Sequence, residues 1–265
     1  MSSPSIRGAA QRYGSVAQAY RRFWAPVMVA HSRPMLGALP LERSDTIADL
    51  GCGVGVIGAR LAKRARTVVG IDVAEGMLRR VPDPVHRVAG DIATTPFGDD
   101  TLDGAISTFA LQHVARTGRA FKEAARALRS GGFLGTATWG TDHAEEGGCY
   151  AVVDDMFARH RIPAETQAFK TWHDHVDEPA KLERYARGAR LTVERSWAAR
   201  STYEWPRKSF FGWVTTMGPY GRRLMTAPEA VRAHLVEDLT TELSMLPDAA
   251  FRWTPECVYV IAIKL

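Results

Sequence analysis

Hydrophobic positions along the chain change their spacing near residue 45. Between about 9 and 39, Tyr13, Val16, Tyr20, Phe23, Trp24, Val27 and Met28 recur three and four residues apart, which predicts helices interrupted near Pro26. From Thr46 the pattern becomes short apolar runs with helical stretches between them. Runs at 46–50, 67–72, 85–89, 102–108 and 132–138 predict five strands. Stretches at 56–64, 75–80 and 119–129 predict helices, the last ended by Ser130-Gly131-Gly132, where glycine supplies a left-handed stop. Strand alternating with helix predicts a mostly parallel sheet. Beyond Gly140, helices at about 148–160 and 179–189 lead to two long strands, 191–203 and 256–265, separated by an aromatic, helix-like stretch at 207–246.

A length of 265 residues, 46% hydrophobic and 24% charged, suits one α/β core with an added subdomain. The expected division is an N-terminal helical lid at 1–40, a cofactor-binding core at 41–200, a cap inserted at 201–250, and the last core strand at 251–265. No apolar run approaches the ~20 residues of a membrane span, and no export signal follows Met1, so a cytoplasmic protein is expected. Cys52, Cys149 and Cys257 stand far apart, which predicts reduced thiols and neither a disulfide framework nor a zinc site. The net charge is +5, carried by 28 Arg and 6 Lys spread along the whole chain. That spread suggests a coding bias, and no nucleic-acid partner is expected from it.

The run Ala48-Asp-Leu-Gly-Cys-Gly-Val-Gly-Val-Ile-Gly58 holds two overlapping patterns. Gly51-x-Gly53-x-Gly55 is a loop type used for S-adenosylmethionine, whereas Gly53-x-Gly55-x-x-Gly58 is formally a dinucleotide fingerprint. Both exploit glycine to turn sharply from strand into helix and to bring backbone close to a ligand. The first glycine after the strand is Gly51, which puts the five-residue pattern in register. Asp72 closes the second predicted strand, where a carboxylate can accept from both hydroxyls of a ribose. Asp91 closes the third, where it can accept from an adenine amino group with the Ile92 amide beside it. Asp49, Gly51, Gly53, Gly55, Asp72 and Asp91 at successive strand ends form a spaced set.

ADLGCGVGVIGARLA, VVGIDVAEGML, AGDIATTPFGDDTLDGAISTFALQHV and FKEAARALRSGGFLGTATW together resemble the successive motifs of class I S-adenosylmethionine-dependent methyltransferases. They are most similar to the ubiquinone/menaquinone C-methyltransferase-like small-molecule enzymes of secondary metabolism. The resemblance is strong over residues 45 to 140 and only an outline beyond. It implies a Rossmann-like α/β fold whose seven-stranded, mostly parallel sheet has the order 3-2-1-4-5-7-6, with the last strand antiparallel. It implies S-adenosyl-L-methionine as cofactor, with Gly51, Gly53 and Gly55 lining the methionine moiety and Asp49 and Cys52 among the residues that bind it. Asp72 would take the ribose, Val73 and Met77 the adenine faces, and Gly90, Asp91 and Ile92 the adenine edge. Thr108, Phe109, Gln112 and His113 would sit beside the sulfonium. Tyr13 and Tyr20 resemble N-terminal aromatics that close over the cofactor.

Methyl transfer from a sulfonium is an in-line displacement that alignment and exclusion of water serve well. A phenol or enol acceptor gains further from a histidine base. His143, following the fifth strand, is the first candidate and His113 the second. Trp172-His-Asp-His175-Val-Asp-Glu178 collects possible metal ligands in a polar loop, but no metal is expected from it. Trp139, Tyr203, Trp205, Phe211, Trp213 and Met217 are expected to wall an apolar or aromatic substrate. Methylation of an O, C or N atom of such a small molecule is the expected function. The alternatives are an RNA or DNA methyltransferase, against which the fourth strand ends in Ser107-Thr-Phe-Ala110, and a cofactor-binding member of the fold that catalyses a non-methylating step.

Overall fold

The computed structural model describes residues 4–42, 45–141, 147–163 and 172–265. Seven strands build one sheet: β1 (Thr46–Leu50), β2 (Thr67–Asp72), β3 (His86–Ala89), β4 (Leu102–Thr108), β5 (Leu128–Trp139), β6 (Leu191–Arg200) and β7 (Glu256–Lys264). Their order is β3-β2-β1-β4-β5-β7-β6, with the first five parallel and β7 antiparallel to both of its neighbours. This is the order expected from the motifs.

Both faces of the sheet are covered, so β1 and β7 read as nearly continuous apolar runs. Ile47, Phe133 and Tyr259 point to one layer, and their neighbours Ala48, Leu134 and Val260 to the other. The helix Thr117–Ala127 buries Ala120, Phe121, Ala124 and Ala127, one stripe of its surface, against the second layer. It ends earlier than the glycines at 131–132 suggest. Leu128 is already extended, and Gly131, at φ +78°, serves a register shift between β4 and β5. The tertiary ladder therefore claims residues that local turn chemistry assigned to a helix stop.

The N-terminal segment differs from its expected form at Pro26. Helices Pro4–Ser15 and Ala17–Ala19 run into a π-helical turn, Tyr20–Trp24, and Pro26 opens the next helix, Ala25–Ala38. Proline in a first helical turn loses no hydrogen bond, so it starts this helix and the irregularity falls before it. Contacts along its length fasten the segment to the core. Tyr259 donates its hydroxyl to the His31 carbonyl at 2.8 Å, Arg21 donates to the Arg80 carbonyl at 2.8 Å, and Gly14 lies against Gly76. The stretch 207–246 forms helices Arg207–Thr216, Gly218–Thr226 and Glu229–Met245. The last of them packs on helix Gly148–Arg159 and the first on the π turn, where the Phe23 ring fills the space that Gly212 leaves open. A two-residue ribbon, Tyr203–Glu204 with Arg252–Trp253, closes this insertion. No helix among the described residues is long and apolar enough to cross a membrane.

A Cβ on Gly76 would stand 2.6 Å from both the Gly14 Cα and its carbonyl oxygen, a clash between two backbones. Gly76→Ala should therefore release the first helix. Amide exchange over residues 4–15 is expected to rise, with the sheet's protection unchanged, when followed by mass spectrometry.

Candidate functional site

The C-terminal ends of β1, β2, β3 and β4 open into one cavity, as parallel strands feeding helices do in this class of sheet. Its floor is the turn after β1. Gly51 and Gly53 adopt φ +79° and +54°, and a Cβ on Gly53 would stand in the space facing Tyr20. The Gly53 N–H donates to Asp72 Oδ2 at 2.8 Å and the Ala74 N–H to Asp72 Oδ1 at 2.9 Å. Burial pushes the Asp72 carboxyl up, while those N–H groups pull it back. The carboxylate keeps acceptor capacity for a further donor.

The adjacent wall belongs to β3. Asp91 accepts from the Ala93 N–H at 2.8 Å and from the Arg116 guanidinium at 3.0 Å, with Gly90 and Ile92 beside it. Val73 and Met77 supply apolar surface, and Thr108 and Phe109 close the side of β4. Counting its open mouth, the cavity holds about 930 Å³ of free space.

Asp49, Cys52 and Gly55, expected among the cofactor contacts, do not line this cavity. Asp49 Oδ2 instead accepts the Gly58 N–H at 3.1 Å from beneath the turn, the Cys52 thiol packs over Gly70, and Gly55 lies against Val81. Asp49 lies within β1, whose alternation turns it to the layer under the loop, while Cys52 and Gly55, in the turn, pack against residues away from the cavity. The Gly58 N–H is thereby engaged inside the protein. Burial pushes the Asp49 carboxyl up to about 7, against the Gly58 hydrogen bond and helped by the nearby Asp72 charge.

A second cavity, about 790 Å³ with its mouth, shares Tyr13, Tyr20, Phe109 and His113 with the first. Its remaining walls are Trp24, Met28, Trp139, Gln112 and His173. Phe109 and Trp139 lie 4.1 Å apart between ring centroids, and Phe109 has φ +53°, a conformation that non-glycine residues rarely adopt and that clusters at functional sites. Tyr13 Oη and His113 Nε2 share a hydrogen bond of 2.8 Å across the boundary of the two cavities. Burial, with Arg12 and His173 nearby, pulls the His113 imidazole down to about 4, and burial pushes the Tyr13 hydroxyl up to about 12. Both groups are neutral at pH 7.

Of the expected substrate wall, Trp139 lines the second cavity, whereas Tyr203, Trp205, Phe211, Trp213 and Met217 line neither cavity. Trp213 stacks on Trp24 at 5.3 Å and 14°, and Trp205 and Trp253 flank the same ring at 5.9 and 5.7 Å. The N-terminal segment thus inserts Trp24 between the cap and the cavity, and the cap aromatics pack one layer behind it. His143 lies outside the described residues. His173, from the polar loop weighed for metal ligands, sits in a short turn, His173–His175, and donates Nε2–H to the Gly140 carbonyl at 3.2 Å. Trp24, Met28, Arg116 and His173 reach these walls without a local signal. The three- and four-residue spacing marks Trp24 and Met28 as buried, but not what they face.

Residues 48–135, which span β1 through most of β5, match the family described as Methyltransferase domain. Over that stretch the chain is similar to methyltransferase domains. It is 32% identical over 136 residues to the biotin biosynthesis bifunctional protein BioHC of Cellvibrio japonicus, a match covering 49% of this chain and 27% of that one. It is 37% identical over 102 residues to the demethylmenaquinone methyltransferase of Corynebacterium kroppenstedtii, covering 37% and 43%. The chain therefore spans between about a quarter and under half of these curated relatives. A solved geranyl diphosphate methyltransferase in complex with SAM shares the fold, with a TM-score of 0.51, 16% identity and coverage of 89% and 85%. The sheet order agrees with that of the class I methyltransferases.

Two substitutions test this division of labour. Trp213→Ala should cost about 3–5 kcal/mol of stability, read by denaturant unfolding, because it empties a buried aromatic stack. Asp49 binds its proton more tightly folded than unfolded, so its contribution to stability is full at acid pH and is lost as the pH rises through about 7. The melting temperature of Asp49→Asn should consequently gain on that of the parent protein between about pH 4 and pH 7.

Proposed function

We propose that the protein transfers a methyl group from S-adenosyl-L-methionine, seated in the first cavity, to an apolar or aromatic small molecule seated in the second. The observation that carries this reading is the shared wall: Tyr13, Tyr20, Phe109 and His113 belong to both cavities. Two ligands placed there would meet across those residues, as a displacement between them requires.

The residues present fit the cofactor. Asp72 offers acceptor capacity at the end of β2 for two ribose hydroxyls, Asp91 lies where an adenine amino group would donate, and the Gly51–Gly53 turn lacks the side chains that would fill the methionine end. S-adenosylmethionine supplies an electrophilic methyl group on a sulfonium whose positive charge is lost on transfer. The solved relative in fold that carries SAM, and relatives named for quinone methylation, support the same pairing of cofactor with small molecule.

Where the acceptor is a hydroxyl or amine, its proton needs a destination. His113, neutral and hydrogen-bonded to Tyr13, takes that proton through the Tyr13 hydroxyl: Tyr13 receives one proton and passes its own to Nε2. Burial keeps the imidazole neutral before transfer, so that no second cation stands beside the sulfonium. Trp24, Met28 and Trp139 exclude water and orient the acceptor ring.

Calorimetric titration with S-adenosylhomocysteine tests the cofactor assignment. Asp72→Ala should weaken binding about 30- to 150-fold, corresponding to the loss of two hydrogen bonds to a half-buried carboxylate. NADH should give no saturable heat. Unchanged affinity in the variant would remove the ribose from Asp72.

A further inference from the structure

We propose that Gln112 selects the acceptor, its side-chain carbonyl receiving a hydrogen bond from an O–H or N–H group on an aromatic molecule in the second cavity. This rests on the reading of that cavity as the acceptor site.

Gln112 is 5% exposed and lies in the short turn Leu111–His113, next to His113 and in the cavity wall. Its side-chain amide is not free to flip. Nε2 donates to the Phe109 carbonyl at 2.8 Å, and exchanging the two ends would set carbonyl against carbonyl. Phe109 is itself anchored, its N–H donating to the Ala137 carbonyl of β5 at 2.7 Å. The amide therefore has a determined orientation with its nitrogen spent, and its oxygen Oε1, buried, has no hydrogen-bond partner. The backbone carbonyl of the same residue takes the Trp172 N–H at 2.8 Å, which ties the His173 turn to it.

A buried acceptor without a partner is uncommon, and a leucine or methionine would fill the same space without that cost. A wall residue that keeps a lone pair unspent makes chemical sense when the ligand brings the donor. The surroundings indicate what else that ligand carries. Trp24, Phe109 and Trp139 offer ring faces, while Gln112, His113 and His173 gather the polar groups through two turns in contact. A flat aromatic body with a hydroxyl or amine matches both, and a ring lacking the donor leaves Oε1 unsatisfied. Sites built to pair with a hydroxyl reject analogues without one strongly, whereas apolar contact alone discriminates weakly.

The test uses 2-naphthol and 2-fluoronaphthalene, of nearly equal shape, titrated into the full chain with S-adenosylhomocysteine present and followed by tryptophan fluorescence. The unsubstituted protein should bind the naphthol at least about tenfold more tightly, since only it can satisfy the buried carbonyl. Gln112→Met should bring that ratio to about one by weakening the naphthol while leaving the fluoro compound's affinity in place. Gln112→Leu, of similar volume, should do the same. A residue that merely supported Phe109 would weaken both ligands together. Equal affinities in the unsubstituted protein, a preference that survives both substitutions, parallel loss of both ligands, or no binding of either ring would overturn the proposal. Failure of S-adenosylhomocysteine itself to bind, measured beforehand by calorimetry, would instead sink the cofactor reading.

Discussion

The hydrogen bond from the Gly53 N–H to the Asp72 carboxylate joins the turn after β1 to the end of β2, and the rest of the site is arranged around it. The turn reaches Asp72 only because Gly51 and Gly53 take left-handed conformations, and it is braced from below by Asp49 on the Gly58 N–H. One carboxylate thus organises the loop in front of it and a second supports the loop from behind. Asp49 is buried and Asp72 half-buried, and burial raises both, so the loop's geometry rests on groups whose charge is costly in that place. Such a cost is tolerated where the same groups orient a ligand.

The boundary between the two cavities carries the chemistry. Tyr13 and His113 come from chain segments a hundred residues apart, and their hydrogen bond forms where neither is charged at neutral pH. Phe109, in a conformation that costs energy for a residue with a side chain, sits at the same boundary and holds both the Gln112 amide and the face of Trp139. Strain, desolvation and an unsatisfied acceptor therefore meet within a few residues after β4. Their concentration there marks this end of the sheet as more than structural.

Trp24 connects this boundary to the remainder of the molecule. Stacked on Trp213 and flanked by Trp205 and Trp253, it couples the N-terminal helices to the insertion between β6 and β7. Phe23 over Gly212 adds a second contact on the same turn. The π-helical geometry of Tyr20–Trp24 directs Tyr20, Phe23 and Trp24 toward the glycine turn, the cap helix and the second cavity respectively.

The sequence by itself determined the strands and helices of the sheet, the glycine turn, and the carboxylates at the ends of β2 and β3. Each depends on a short stretch of chain: apolar alternation, glycine's freedom at positive φ, or a polar residue closing an apolar run. Strand order also followed from those motifs, through their resemblance to a known family. The tertiary structure alone decided which face of each aromatic is used. Trp24 lines the cavity and Trp213 packs behind it, although both read as buried aromatics in helical spacing, because the difference lies in which distant element arrives first at the sheet. Likewise Gln112, which the family resemblance sets only beside the sulfonium, becomes an unsatisfied acceptor when Phe109, Trp172 and the cavity surround it.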